Sequence, residues 1–485
     1  MSISTALSNA LTGLTASSRA AGVVSTNLAN ILTDGFAPRS IELSAQGDGR
    51  GGGVRVLGIT RNVDAGLLSE RRLADSAVGY NEVMSGFLSR LETEVGLPDD
   101  PGSLTARIAA FEGSLASAAT RPEEDARLTE VGLRGAELAG ALNAISDRIQ
   151  AERTAADSQI GQAVDRVNTL LSQVQTLNAH IVNARNTGHP AASFEDQRQM
   201  VIDALSDYVP LRSADRGNGA VALYTPGGAV LIDGRPAELA FSPSNVVAPH
   251  MTEANGLLSG LEINGVPVVS SGDRSPIAGG RLAGLFEIRD RLAVDAQSQV
   301  DATARNLIER FQASGIDATR APGDPGLFTD NGAFFDPSDE VGIAARIALN
   351  TTVDPQQGGD TWRLRDGLGA AAPAAPGDAT LLIGLAAAMS GADAMASGGL
   401  GATARTFSGH AASLVSRIGQ QAITTDQSLS FATARQSGLK DIELQQGVDS
   451  DEQMQRLLLI EQAYSANARM IQTADEMLQT LLRMT

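Results

Sequence analysis

Apolar and small residues recur from Ile3 in steps of four and three: Leu7, Ala10, Leu14, Ser17, Ala21, Val24, Leu28 and Ile31. That spacing is a heptad seam and predicts an amphipathic helix. The helix should end near Ile31, because Asp34-Gly35 supplies turn chemistry and Pro38 cannot continue a helix. A second seam lies toward the other end. Leu457, Tyr464, Ile471 and Leu478 are seven apart, and Ile460, Asn467, Ala474 and Leu481 follow each by three. Gly447 breaks the pattern upstream, and Asp449, Ser450, Asp451 and Glu452 suit a helix amino terminus. Two such helices can pair with each other, and the pattern leaves parallel and antiparallel order open.

Further helical patterns lie between them. A long one runs from about Pro122 to Asn186, with Ile160, Ala163, Val167, Leu170, Val174, Leu177 and Ile181 along its seam. A short one covers Glu195 to Tyr208, and another Gly280 to Gly315, with Leu285, Leu292, Ala296, Val300, Leu307 and Phe311 on one side. A last helical zone spans Ala379 to Leu439, with glycine interruptions near Ser397 to Gly401. The texture changes over residues 211–278, where alternating runs such as GAVALY and LEINGVPVV are punctuated by Gly, Pro, Asn and Asp. These predict short strands and hairpins. Residues 316–378 are also rich in Gly, Pro and Asp. Gly47 to Gly53 reads as a flexible loop before a strand-like VRVLGITR.

The expected class is therefore mainly α with β-rich insertions (α+β), in a nested order. Residues 1–60 with 440–485 form a terminal coiled-coil part. Residues 61–210 with 279–315 and 379–439 form a helical bundle. Residues 211–278 and 316–378 form a β-rich outer region of one or two small domains. A chain of 485 residues is long enough for two to four cores. A two-helix pair buries little apolar area. The terminal part is thus predicted to be disordered or mobile in a monomer, ordering only against other subunits.

Charge and composition narrow the functions. The net charge is −19 and the sequence pI is about 4.7. Lys440 is the single lysine, and no basic face could dominate contact with nucleic acid or an anionic membrane. The absence of Cys removes disulfides, thiolate metal sites and a Cys nucleophile. His180, His189, His250 and His410 have no metal-ligand spacing. The glycine loop lacks the Lys-Ser/Thr of a phosphate cradle, and Asp324, Asp330 and Asp336 lack calcium-loop spacing. Glu123-Glu124-Asp125 reads as an acidic first helical turn. No catalytic, cofactor-binding or metal-ligating residue is assigned, no cofactor is expected, and the chain reads as not an enzyme. The opening MSISTALSNALTGL has neither a positive n-region nor a continuous apolar core, so no Sec-type signal peptide is predicted.

The segment NLANILTDGF, Asn27 to Phe36, resembles the NxANxxTxGY/F signature of axial proteins of the bacterial flagellum. Asp34 stands where Pro is common and Phe36 where Tyr is common. Gly447 to Leu482 is similar to the terminal helix of the same proteins; Val448-Asp449, Gln462, Tyr464 and Ala466-Asn467-Ala468 fit the hook-associated protein 1 family. So do the long helix over Ala136–Asn186 and the stretches FEDQRQMVIDALSDYV and GGRLAGLFEIRDR. Residues 211–278 and 316–378 match only loosely.

The resemblance implies an extracellular structural subunit at the hook–filament junction, transiently cytoplasmic before export unfolded by the flagellar type III apparatus. It implies contacts with copies of itself, with hook protein and with hook-associated protein 3. A cytoplasmic export chaperone would cover the carboxyl-terminal helix, and neither nucleic acid nor membrane would be a partner. The assembly interface would comprise Leu7, Leu14, Ala21, Val24, Leu28, Asn30, Gly35 and Phe36, together with Leu457, Ile460, Tyr464, Ile471, Leu478 and Leu481. Three rival readings are another axial protein (hook-associated protein 3, hook or rod subunit), a secreted hydrolase domain on an axial scaffold, and a free coiled-coil adhesin. The first would carry more β structure between its terminal helices. The second would need a concentrated polar constellation within residues 211–378. The third would not need both terminal seams.

Overall fold

The structure, a computed structural model, describes residues 3–33, 35–46, 52–401 and 403–484. Asp34 of the expected turn and residues 47–51 of the expected glycine loop lie outside the described residues. The chain runs α1 (Ile3–Ala29), β1 (Arg39–Ala45), β2 (Val54–Arg61), α2 (Ala65–Val95), α3 (Leu104–Thr120), α4 (Asp125–Asn186) and α5 (Ala192–Ser206). Seven short strands follow: β3 (Arg212–Asp215), β4 (Val221–Tyr224), β5 (Val230–Asp233), β6 (Arg235–Pro236), β7 (Leu239–Ala240), β8 (Leu261–Ile263) and β9 (Val266–Val268). Then come α6 (Arg281–Glu287), a π-helical turn at Ile288–Leu292, α7 (Ala293–Gln312), β10 (Phe328–Asp330), α8 (Ile343–Arg346), β11 (Ile347–Leu349), α9 (Arg363–Asp366), α10 (Thr380–Ser390), α11 (Phe407–Gln445) and α12 (Ser450–Met484). The protein is mostly helical with small sheets, as the pattern predicts.

Local chemistry sets many of the limits. The Asp64 carboxylate accepts from the backbone N–H of Gly66 and Leu67 at 2.9 and 3.0 Å, capping the start of α2. Ser103 does the same for α3 through Ala106 at 3.2 Å, and Asp449 for α12 through Asp451 and Glu452 at 2.8 and 3.2 Å. Gly96 ends α2 with φ +80°, and a Cβ there would lie 2.7 Å from Ser103 Cα. The patterns at 195–208 and 280–315 shift slightly. The Ala191 carbonyl accepts from Phe194 and Glu195, so α5 begins earlier. A π turn divides α6 from α7.

Contacts divide the chain into two compact units. The first comprises Met1–Val78, Arg166–Glu238 and Phe431–Thr485. It holds α1, α12, the antiparallel β1–β2 hairpin, α5 and the sheet β3–β4–β5–β6. The second comprises Gly79–Asp165 and Leu239–Ser430 and holds α3, α6, α7, α10, the sheet β7–β8–β9 and the β10–β11 pair.

This differs from the three-part division expected above. The 211–278 segment is not one body, because β3–β6 packs with the carboxyl-terminal part of α4. The side chain of Asn178 donates to Val221 O at 2.9 Å and accepts from Val221 N at 3.2 Å, and Arg198 donates to Gly219 O at 2.6 Å. The expected border at 439/440 falls inside α11, which continues to Gln445. The terminal helices α1 and α12 pack against each other within the chain, where each supplies the other with an apolar seam.

In the second unit, the rings of Phe111, Phe311 and Phe328 meet edge-on, with centroids 5.3 to 6.1 Å apart. All three are at most 1% exposed and join α3, α7 and β10. A buried charge cluster holds the loop after β7. Arg289, in the π turn, pairs with Asp157 at 2.7 Å and Asp290 at 2.8 Å. Its guanidinium also lies over Phe241 and Phe286, 5.4 and 5.1 Å from the ring centroids. Arg153 donates to the carbonyls of Arg289, Ala248 and Met251 at 3.0, 3.1 and 2.7 Å. Burial pulls the Arg153 guanidinium down to about 10.

Phe111→Ala should destabilise the second unit by about 3–5 kcal/mol, since it removes two edge contacts and leaves a cavity. Urea unfolding followed by circular dichroism measures this, and a loss below about 1 kcal/mol would show that the three rings are not its core.

Candidate assembly interface

Helices α1 and α12 lie antiparallel. Asn27, near the end of α1, meets Gln453 at the start of α12, while a Cβ on Gly13 would lie 2.8 Å from the Asn467 amide. Along this line Ala10, Ser17, Val24 and Ala474 are buried. Leu7, Leu14, Ala21, Leu457, Ile460 and Ile471 are half-buried. Leu28, Ile31, Tyr464, Leu478 and Leu481 are exposed. Leu28 and Ile31 lie where α1 reaches the start of α12. Leu478 and Leu481 lie where α12 passes the start of α1.

One buried amide fixes this arrangement. Asn27 is 1% exposed, and its side-chain N–H donates to Arg39 O at 2.9 Å and to Gln453 Oε1 at 3.1 Å. Its oxygen accepts from Arg39 N at 3.0 Å. The end of α1, the first residue of β1 and the first turn of α12 are thereby tied together. Arg39 continues outward to Asp196 on α5 at 2.6 Å, and Arg61 on β2 reaches the other oxygen of that carboxylate at 2.6 Å.

The turn between helix and hairpin is built from the predicted motif. Asn30 donates to Thr26 O at 2.8 Å, and Thr33 N donates back to Asn30 O at 3.0 Å. Gly35 has φ +73°, and a Cβ there would lie 2.5 Å from Met200 Cγ. The Phe36 ring stacks under the Arg39 guanidinium, 4.9 Å from its centroid. The motif reading identified Asn30, Gly35 and Phe36 as interface residues and passed over Asn27, Gln453, Arg39 and Asp196. Asn27 stands in the quoted signature, but its partners are remote in sequence, and a Gln in an acidic first turn carries no signal of burial.

Helix α1 has three sides. One faces α12. A second packs on the hairpin, where Val54 N donates to Thr12 Oγ1 at 3.3 Å, and Ala16, Val23 and Asn27 are buried. The third is exposed and runs Ser8, Leu11, Thr15, Ser18, Gly22, Ser25 in the same steps of three and four. Arg19 is the single charged residue among the 27 of α1. An exposed helix face ordinarily carries charge. Helix α12 likewise shows a second seam outside its pairing face: Leu459, Ala463, Ala466, Met470, Thr473 and Met477, all exposed.

Elsewhere in this unit several charges are paired. Arg71 on α2 reaches Asp75 at 2.9 Å, Asp203 at 2.6 Å and Glu443 at 2.7 Å, tying α2, α5 and α11 together. Burial holds the Glu443 carboxyl above its ordinary range, against the opposing pull of Arg71. Arg198, half-buried on α5 beside the β3–β4 turn, is pulled down to about 10 by desolvation. Among the described residues no group of three or more His, Cys, Asp or Glu is placed to hold a metal. No described helix is long and apolar enough to cross a membrane.

Comparison with known proteins bears on what this surface serves. A family model described as the flagellar hook-associated protein FlgK helical domain matches residues 88–328, and one described as the flagellar basal body rod FlgEFG protein C-terminal matches residues 445–484. Flagellar hook-associated protein 1 of Bacillus subtilis (strain 168) is 24% identical over 516 aligned positions, covering 98% of this chain and 97% of its own. Its namesake in Escherichia coli (strain K12) is 24% identical, over 64% of this chain and 59% of its own. The one in Salmonella typhimurium is 25% identical, over 52% and 47%. The solved flagellar hook junction protein FlgK from Burkholderia pseudomallei matches with a TM-score of 0.44 and 21% identity, over 54% of this chain and 47% of that one.

Asn27→Ala should leave the buried Arg39 N–H and Gln453 amide without partners, at a cost of about 1–3 kcal/mol confined to the first unit. Hydrogen exchange should speed up in α1 and the first turns of α12 while the second unit is unchanged. Equal protection throughout would mean that the amide does not tie these elements.

Proposed function

Given that the chain belongs to the flagellar hook-associated protein 1 family, we propose that it is a structural subunit joining hook to filament and that it assembles through its terminal helices. It leaves the cell through the flagellar type III apparatus and is cytoplasmic only before export. Its partners are copies of itself, hook protein and hook-associated protein 3, with an export chaperone on the carboxyl-terminal helix. The names of the curated relatives support the location, and their likeness spans nearly the whole chain in one case. The observation that carries the assembly role is the exposed, uncharged side of α1 beside an apolar seam on α12. Such faces are tolerated in a subunit whose working state buries them.

The contacts of Asn30, Gly35 and Phe36 redirect the chain from the helix pair into the hairpin, so the motif serves the geometry of the assembling end. The second unit has its own aromatic core. No catalytic role is proposed for it: its buried Arg153, Asp157 and Arg289 are engaged with one another and with loop carbonyls.

An in-frame deletion of the gene should yield hooks of normal form without filaments, with flagellin shed into the medium. Electron microscopy and an immunoblot of the supernatant measure both. Loss of hooks as well would move the protein to hook or rod, and intact filaments would overturn the reading. Removal of residues 1–31 alone should leave the second unit folded but give the same bald hooks.

A further inference from the structure

The chain holds four Asn-Gly dipeptides, beginning at Asn218, Asn255, Asn264 and Asn331. Asparagine before glycine is the least hindered setting for a reaction of the chain with itself, because glycine brings no side chain against the approach. The glycine nitrogen, on losing its proton, attacks Cγ of the asparagine. The Cγ–Nδ2 bond breaks, Nδ2 leaves as ammonia, and a five-membered succinimide closes. Water then opens the ring. Addition at the main-chain carbonyl carbon leaves the backbone running through Cβ and Cγ, an isoaspartate; addition at Cγ gives aspartate. One water is consumed and one ammonia released, so no oxidant, reductant or enzyme is required.

The fold sorts the four. Asn218, Asn264 and Asn331 have left-handed backbones, with φ of 51°, 53° and 49°. Ring closure swings the glycine nitrogen over the side-chain carbon, and a left-handed turn residue cannot do this without leaving the turn. The reaction there waits on local opening, and what resists opening sets the rate. Asn218 donates to Asn186 Oδ1 at 2.6 Å, and the following Gly219 is buried, with its Cβ position 2.7 Å from Arg185 and Ile181. Asn331 N donates to Arg346 O at 2.9 Å, and the nitrogen of Gly332 donates to Thr329 Oγ1 at 2.9 Å. Arg346 also grips the neighbouring Asp330 at 2.8 and 3.0 Å. Asn255 donates to His250 O at 2.7 Å and accepts from Thr252 N and Leu257 N at 3.1 and 3.2 Å. The nitrogen of Gly256 is bonded to Glu253 O at 3.0 Å. In each of these three, either the amide or the attacking nitrogen is held.

Asn264-Gly265 forms the two-residue turn between β8 and β9, closed by the pairing of Ile263 with Val266. Both turn residues are exposed, and the Gly265 nitrogen donates to nothing. Strand β9 is the edge of its sheet and pairs with β8 alone. Pro267, opposite Glu262, has no N–H to add to the ladder, and Val266 is 61% exposed. This tip therefore opens with the least loss of bonds. We infer that Asn264 is a self-modification site, converted through its succinimide to isoaspartate and aspartate ahead of the other three Asn-Gly pairs. Isoaspartate adds a backbone carbon and a carboxylate to a turn that has room for two residues, so Ile263 and Val266 lose their register. Neither product returns to asparagine, and the tip keeps a record of the age of the chain.

The purified full chain, aged in mildly alkaline buffer made with heavy-oxygen water, tests this by peptide mass spectrometry, since each event fixes one heavy oxygen at the modified residue. Label should enter at Asn264 at least about tenfold faster than at Asn218, Asn255 or Asn331, and at like rates at all four in urea. A folded chain in which another Asn-Gly pair leads, or in which all four keep pace, would overturn the inference. Hydrogen exchange should then be faster in β8 and β9 of the aged chain than of the fresh one. Asn264→Asp, which carries the charge on a backbone of ordinary length, should exchange like the fresh chain. Equal exchange in aged and fresh chains would overturn the loss of register.

Discussion

The buried amide of Asn27 is the interaction on which the first unit depends. Helix α1 carries one charge in 27 residues and buries only part of its surface on α12. A helix of that composition has little reason of its own to hold a fixed position. Asn27 supplies that position by bonding at once to the backbone of β1 and to a buried glutamine of α12. Beyond it the Arg39–Asp196–Arg61 bridge carries the tie into α5 and back to β2. Polar bonds fix the register, and the apolar seams then fill in around it. This order suits a pair whose hydrophobic area is small, because a directional contact specifies alignment where burial alone would permit sliding.

The second unit follows a different economy. Its rings at Phe111, Phe311 and Phe328 bring together α3, α7 and β10 in a core of their own. The buried Arg153, Asp157 and Arg289 stitch an irregular loop to α4 and to the π turn. Loops of this kind carry backbone carbonyls that must be satisfied; Arg153 satisfies those of Arg289, Ala248 and Met251, and Arg289 that of Ser259. One unit is thus held by an aromatic core and buried ion pairs, whereas the other leaves apolar positions of its terminal helices exposed.

Much of this was legible in the chain. The heptad spacing at both ends, the stop before Pro38, the acidic cap at Asp449 and the limits of the long helix all follow from local chemistry, and local chemistry is written in adjacent residues. The glycine at position 35 was recognisable from the motif, although its reason is tertiary: Met200 lies where a side chain would be. Harder to see were Asn27 as a clamp, Gln453 and Asp196 as its extensions, and the buried arginines of the second unit. Polar residues in the interior have no periodic signature, since their identity is set by partners that lie beyond their own element, from a dozen to several hundred residues away. The β-rich middle divided between two units for the same reason: Asn178 and Arg198 reach across to the β3–β4 turn through space.

By itself, then, the sequence determined that this protein is mainly helical, that its two ends bear matching seams, and that it resembles a flagellar axial subunit. The first two are properties of spacing and composition, and the resemblance rests on the residues of particular motifs. Only the tertiary structure decided that the ends run antiparallel, that an asparagine sets their alignment, and which seams remain exposed. Heptad spacing states that a helix has a face for a partner. Which partner takes which face depends on what the remaining sides are already packed against, and that is settled by contacts between residues far apart in the chain.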